Sequence, residues 1–180
     1  TDAEGHTAYF SYNKVFGSVT KAVDIQGNVV TSEYDNFGNL LKSTDYLGLT
    51  IQYITDWNQN SSIDALYYSK VIAPNSPQVQ SWFDENGRVV LAKTEGLNGD
   101  VFSEKEYNTR GQVERESLPH FSGDAPRYIE YGYYDDGRLQ TKTYESLSTH
   151  YVYDGRITTV TKPDGKTETS EVNALGLACK

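Results

Sequence analysis

A short polar turn, closed by glycine and feeding straight into a strand, recurs along the chain, and this recurrence limits the fold more than any other feature. A full copy is Tyr34-Asp35-Asn36-Phe37-Gly38, followed by Asn39-Leu40-Leu41-Lys42-Ser43-Thr44. Asp35 and Asn36 can bond their own backbone, and Gly38 supplies a left-handed residue where a side chain would clash. Variants are Phe83-Asp84-Glu85-Asn86-Gly87, Tyr107-Asn108-Thr109-Arg110-Gly111, Tyr134-Asp135-Asp136-Gly137 and Tyr153-Asp154-Gly155. The last two are short by one and two residues, which predicts tighter hairpins or a shifted register. In the first third the closing glycines are Gly17, Gly27, Gly38 and Gly48, spaced 10, 11 and 10. A strand of about 5 or 6 residues with a four-residue turn accounts for that period. The segments between glycines are too short for a helix stable on its own. The rhythm returns at Gly87, Gly99 and Gly111, and again at Gly155, Gly165 and Gly176.

The expectation is an all-β fold: a repeat-built, mostly antiparallel, twisted sheet of strand-turn units, each strand pairing with the one before it. Tyr, Val, Leu and Ile at alternate positions would line one face, with Lys, Thr, Glu and Ser on the other. Arg88, Arg138, Arg156 and Lys166 follow turn glycines, where they can pair with the Asp or Glu of an adjacent turn, and the preferred reading is solvated charges worth little to stability. Residues 1–180 read as a single elongated region with two irregular excursions. Residues 55–80 form one long inserted hairpin, and residues 118–127 form a prolyl loop. Residues 1–6 are polar and expected to fray. The chain has no methionine and ends just after a turn, which reads as a piece of a longer protein. Terminal strands would then keep open edges prone to edge-to-edge pairing.

Composition bounds the function. Hydrophobic residues make up 37% and mean hydropathy is -0.63, low enough to suggest disorder, but 15 tyrosines supply large rings with wet hydroxyls and argue against it. A net charge of -9, with Lys and Arg scattered singly, speaks against nucleic-acid binding and against attraction to an anionic membrane. No apolar stretch is long enough for a transmembrane helix. The single cysteine, Cys179, excludes an internal disulfide framework.

Candidate chemistry is sparse. His6, His120 and His150 show no metal-ligand spacing, and His120 with Ser122 and Asp124 reads as a surface loop, not a catalytic triad. The alternating pairs Glu104/Glu106 and Glu114/Glu116 read as a polar strand face, not glycosidase carboxylates. Asp56, Asn58, Asn60 and Asp64 place oxygens at the first, third, fifth and ninth positions of a Ca²⁺ loop. Ser61 and Tyr67 stand where glycine and a bidentate glutamate belong, so any site there is weak and an Asx-rich turn is the preferred reading. No catalytic residue and no cofactor is expected.

The set of landmarks resembles the YD repeat of the bacterial Rhs (rearrangement hotspot) family. It comprises Trp82-Phe83-Asp84-Glu85-Asn86-Gly87-Arg88-Val89-Val90, Glu106-Tyr107-Asn108-Thr109-Arg110-Gly111, and Ser117-Leu118-Pro119-His120-Phe121-Ser122-Gly123-Asp124-Ala125-Pro126. Glu130-Tyr131-Gly132-Tyr133-Tyr134-Asp135-Asp136-Gly137-Arg138-Leu139, Thr158-Thr159-Val160-Thr161 and Asn173-Ala174-Leu175-Gly176 complete it. The resemblance covers roughly residues 23–180. It implies a secreted or surface-delivered bacterial polypeptide whose repeats spiral into a hollow β-shell, similar to those of toxin-complex B/C subunits and teneurins. In toxin-bearing members the shell encloses a C-terminal effector, and a separate core segment cleaves itself; neither that segment nor an effector is visible in this sequence. The role implied is a non-catalytic wall, with neighbouring repeats and an effector portion of the same parent as partners. Tyr34, Phe83, Tyr107, Tyr134 and Tyr153 are then packing residues, Asp35, Asp84, Asn108, Asp135 and Asp154 turn formers, and Gly38, Gly87, Gly111, Gly137 and Gly155 turn closers. The alternative is a β-rich surface module whose exposed tyrosines bind carbohydrate or a cell-surface protein. Exposure of both Trp57 and Trp82 would favour the module, and burial of both the wall.

Overall fold

The computed structural model describes Gly5, residues 7–173, Leu175 and residues 177–179. His6 and the glycine of the turn expected at Gly176 lie outside the described residues, as do residues 1–4. Sixteen strands and no helix occur among those described, and every pairing between named strands is antiparallel. The all-β, repeat-built expectation therefore holds.

The chain divides into two compact units, Thr1–Asp100 and Val101–Lys180. The first carries β1 (Tyr9–Tyr12), β2 (Val19–Val23), β3 (Val29–Tyr34), β4 (Leu40–Thr44), β5 (Thr50–Trp57), β6 (Tyr67–Ile72), β7 (Val79–Phe83) and β8 (Val89–Thr94). From β1 to β8 each neighbouring pair is hydrogen-bonded in sequence order, so this unit is a pure meander. The second carries β9 (Val101–Tyr107), β10 (Val113–Ser117), β11 (His120–Phe121), β12 (Tyr128–Tyr133), β13 (Leu139–Tyr144), β14 (Leu147–Asp154), β15 (Ile157–Thr161) and β16 (Thr167–Glu171). Its order is β9-β10-β12-β13-β14-β15-β16, while β11 pairs with the start of β9. β10 covers Lys105 to Tyr107 of β9 and β11 covers Val101 and Phe102. Pro119, which has no N–H to give a ladder, marks the break between them.

Three details depart from the sequence reading. β5 runs on to Trp57, so Asp56 and Trp57 pair with Tyr68 and Tyr67 instead of opening the loop. The prolyl excursion contains β11. Between Gly137 and Gly155 a two-residue hairpin turns at Glu145 and Ser146, where Glu145 takes φ 54° and Tyr144 pairs with Leu147. No glycine marks that turn, so the glycine rhythm passed over it.

Burial is shallow. Among the described residues only Trp82 (8% exposed) and Ser117 (7%) are buried. The Trp82 ring lies 6.4 Å from that of its cross-strand partner Tyr68, and the Ser117 hydroxyl accepts the Glu104 N–H at 2.9 Å. Cohesion within each unit comes from strand ladders and turns more than from a packed interior.

Candidate functional site

The recurring feature of each unit is its series of turns. In the Tyr34 copy, Asp35 N–H bonds the Asn39 carbonyl at 2.9 Å and Gly38 N–H bonds the Asp35 carbonyl at 3.2 Å. The Asp35 carboxylate then accepts the N–H groups of Phe37 and Asn39, both at 2.8 Å, on Oδ1. Its Oδ2 accepts the Asn39 side-chain amide at 2.9 Å. Asp24 with Asn28 and Asp84 with Arg88 repeat this arrangement. Asn108 repeats the backbone part and gives its amide N–H to Gln112 instead. The side-chain amides of Asn28 and Asn39 hold Asp24 and Asp35 below the usual carboxylate value. Burial pushes Asp84 upward, but Arg88 outweighs it and the group is also lowered.

Two classes of turn alternate. At the turns closed by Gly17, Gly38, Gly87, Gly111 and Gly137, each preceded by an aromatic residue, the ladder slips by one residue. The extra residue is Thr20, Leu41, Val90, Glu114 or Gln140, each the third after a turn glycine. Turns preceded by Val23, Thr44 or Thr161 have no slip. A bulge of this kind bends its strand and re-aims a side chain. Here the side chain is the tyrosine: the Tyr34 hydroxyl reaches the Val19 carbonyl at 2.9 Å, and the Tyr133 hydroxyl reaches that of Val113 at 2.8 Å. Each bond ties one hairpin to the previous hairpin at the same end of its meander. Phe83, lacking a hydroxyl, stacks on Tyr67 with centroids 4.9 Å apart.

The copy at Gly137 keeps the turn and moves the letters. Tyr134 N–H bonds the Arg138 carbonyl and Gly137 N–H bonds that of Tyr134, so Tyr134 occupies the place of Asp35. Tyr133 takes the place of Tyr34, bulge included. Asp136, not Asp135, supplies the carboxylate, accepting the Arg138 N–H at 3.0 Å and its guanidinium at 2.7 Å. Asp135 is exposed and offers its carbonyl to Arg110. Tyr134 keeps a contact of its own, donating to the Tyr151 carbonyl at 3.0 Å. Counting back from the glycine would have found Tyr133; matching the pair Tyr-Asp did not. At Gly155 the chain closes a two-residue turn with Asp154 opposite Ile157, and Tyr153 and Asp154 belong to β14.

The second unit adds a polar network on both faces of β9, β10 and β12. On one face the Tyr128 hydroxyl donates to Glu104 at 2.5 Å, and His120 Nε2 stands 3.6 Å from the other Glu104 oxygen. Arg115 pairs with Glu106 at 2.5 Å and covers the Tyr128 ring at 4.4 Å. The bond to Glu104 pushes the Tyr128 hydroxyl up to about 12. On the other face, Tyr131 donates to Glu116 at 2.6 Å, with Lys105 3.5 Å from the same carboxylate. Burial first, then Glu116, drives the Tyr131 hydroxyl upward as well. Glu104, Glu106 and Glu116 are thus engaged with named partners, while Glu114 stands at the bulge. His120 is half-buried in β11, facing Glu104 and Phe102 instead of Ser122 or Asp124. The sequence reading placed it on a surface loop; strand pairing to β9 carries it inward.

Of the calcium candidates, Asp56 lies in β5 and accepts the Trp57 N–H at 2.8 Å. Asn58 gives its amide to the carbonyls of Asn60, Ile63 and Ala65 at 3.0, 2.9 and 3.0 Å, and its oxygen accepts the Asn60 N–H. Asn60 in turn accepts the Ser62 N–H. Asp64 is an exposed residue of the same loop. Among the described residues no three His, Cys, Asp or Glu side chains gather where they could hold a metal ion. The two tryptophans split: Trp57 is 61% exposed and Trp82 is buried.

No family model matches the chain, and no curated protein sequence does. Solved structures do. The crystal structure of TcdB2-TccC3 superposes with a TM-score of 0.70 at 13% identity, covering 98% of this chain and 14% of that one. A crystal structure of TcdB2-TccC3-Cdc42 gives 0.53 at 13% identity, covering 95% of this chain and 11% of that one. The Photorhabdus luminescens Tc holotoxin pore gives 0.51 at 13% identity, with coverages of 95% and 11%. The chain thus spans about a seventh or less of the chains it matches. It has the β fold of a short stretch of the TcdB2-TccC3 toxin complex, consistent with the YD/Rhs-type repeat read from its sequence.

Proposed function

We propose that the chain is a structural, non-catalytic wall segment of a secreted or surface-delivered Rhs-type shell, one that encloses or presents a toxin or effector portion of its parent. In this reading residues 1–180 serve as one run of wall, and the repeat-turn residues hold it together. The observation that carries it is the shallow burial: only Trp82 and Ser117 are buried among the described residues. A self-sufficient domain hides much of its apolar surface; a wall leaves it for neighbouring repeats and contents. Likeness to toxin-complex chains supports the same reading. The test is limited proteolysis of the parent protein. A downstream segment should resist protease in the intact chain and become sensitive when the aromatic turns are disrupted together. Equal sensitivity in both would refute enclosure.

A second reading has its own support. Tyr9, Tyr12, Tyr46 and Trp57 are more than half exposed, and aromatic rings that keep one side wet are the usual platforms for carbohydrate or a partner surface. A glycan or cell-surface protein is the partner under this reading.

A further inference from the structure

Four turns carry aspartate at the capping position: Asp24, Asp35, Asp45 and Asp84. In three of them the residue after the glycine caps the outer carboxylate oxygen, through Asn28, Asn39 or Arg88. Asp45 differs. Its Oδ1 accepts the N–H groups of Leu47 and Leu49 at 2.9 Å each, but Leu49 has no polar side chain to offer. The Asp45 Oδ2 has no partner among the described residues.

Asp45 lines a shallow concavity of about 380 Å³ between the turns closed by Gly27 and Gly48. Asn28, Thr31, Thr44 and Tyr46 line it with Asp45. Tyr46 is 59% exposed. A Cβ placed on Gly27 or Gly48 would meet nothing within 4 Å, so both rims are open to a ligand. An aromatic face, a carboxylate oxygen with lone pairs to fill, the Thr31 hydroxyl, and the Thr44 hydroxyl, which shares a hydrogen bond with Thr50 at 3.0 Å and keeps a free lone pair, make up a set suited to a sugar ring. Such a ring would pack its C–H face on the tyrosine and donate its hydroxyls to the carboxylate. The unneutralised Asp45 and the chain's net charge of -9 disfavour anionic sugars.

We propose that this concavity is a binding site for a neutral hexose unit of a glycan, with Asp45 as the hydroxyl acceptor and Tyr46 as the stacking face. The proposal rests on the glycan reading for its ligand class and is independent of the wall. Two substitutions isolate it. Asp45→Asn keeps the turn-forming oxygen, as Asn108 does in the same place, and converts the outer acceptor into a donor. Leu49→Asn restores the cap seen at Asn28 and Asn39, occupying Oδ2 from within the chain. Saturation-transfer NMR with the methyl glycosides of glucose, galactose and mannose, alongside an array of neutral glycans, reads binding to the 180-residue chain. Binding is expected in the original chain, weakened about tenfold or more by Asp45→Asn, Leu49→Asn and Tyr46→Ala, and unchanged by Asp35→Asn. Glycan binding that survives both Asp45→Asn and Leu49→Asn overturns this site and leaves the glycan reading standing. Absence of binding to every probe overturns both.

Discussion

At the residue scale, the turn aspartate and the tyrosine before it do different work. The aspartate organises four or five residues of its own segment, and its charge is what it contributes. Asp24, Asp35, Asp84, Asp136 and Asp164 all sit below their usual 3.8. A depressed acid adds stability that is fully present above its ordinary value and lost as pH falls through the lowered one. Thermal melting followed by circular dichroism should therefore be flat in pH above about 5 and fall below 3.8. Asp35→Asn should shrink that fall; an acid limb of equal size would contradict the assignment. Tyr128 works in the opposite sense: its stability is present below the ordinary 10.0 and lost as pH rises toward about 12. The Tyr34 and Tyr133 hydroxyls at their bulged turns bond carbonyls 15 and 20 residues away. Tyr34→Phe and Tyr133→Phe should each cost about 1 kcal/mol in denaturant unfolding. Tyr46→Phe, on an exposed ring with no such bond, should cost nothing measurable.

At the element scale, the repeating unit is a hairpin pair, not a single strand and turn. Gly17 and Gly38 are 21 residues apart, as are Gly27 and Gly48, and members of each pair close turns at the same end of the first unit. One end holds the bulged aromatic turns and the other the plain ones. The glycine rhythm of about ten merges these classes because both need a left-handed residue to close. Gly38 has φ +88° and Gly27 φ +84°, and that need is visible in sequence while the bulge is not. The β5–β6 loop belongs to the bulged end and is organised by Asn58, whose amide reaches three carbonyls. Asn58→Ala should destabilise the chain by about 1–3 kcal/mol, since it strands those carbonyls. Millimolar Ca²⁺ should leave the melting temperature of the original chain unchanged; a rise of several degrees would reinstate calcium as the loop's organiser.

At the scale of the whole molecule, cohesion without a deep interior leaves much apolar surface exposed. Tyr9, Phe10 and Tyr12 on β1 are all more than half exposed, whereas β16 carries Glu168 and Glu171. Charged side chains blunt a strand edge and bare aromatic ones do not. The 180-residue chain in isolation should therefore self-associate through β1, seen as a concentration-dependent sedimentation coefficient. Phe10→Lys should abolish the association, and persistence in that variant would place the contact elsewhere. The polar rows on β9, β10 and β12 show how a thin sheet keeps charges on both faces: Glu104, Glu106 and Glu116 each have a tyrosine, arginine, lysine or histidine within reach.

The fold class and most strands were legible in the sequence because the turn is local. An Asx carboxyl or amide, the two N–H groups it accepts and the glycine that closes the loop lie within five residues, so their spacing survives any tertiary context. The resemblance to a YD repeat stood on the same local letters. What the tertiary structure decided is everything that depends on a neighbour in space. Tyr133 and not Tyr134 became the tying residue because the ladder, counted from Gly137, slipped at Gln140. His120 moved inward because β9 paired with it. The turn at Glu145 formed without glycine because β13 and β14 align around it. Asp45 was left with an open oxygen because leucine, in place of asparagine or arginine, follows Gly48. That last difference was written in the sequence, but it gained meaning only when the fold set a second turn, Tyr46 and two threonines around it.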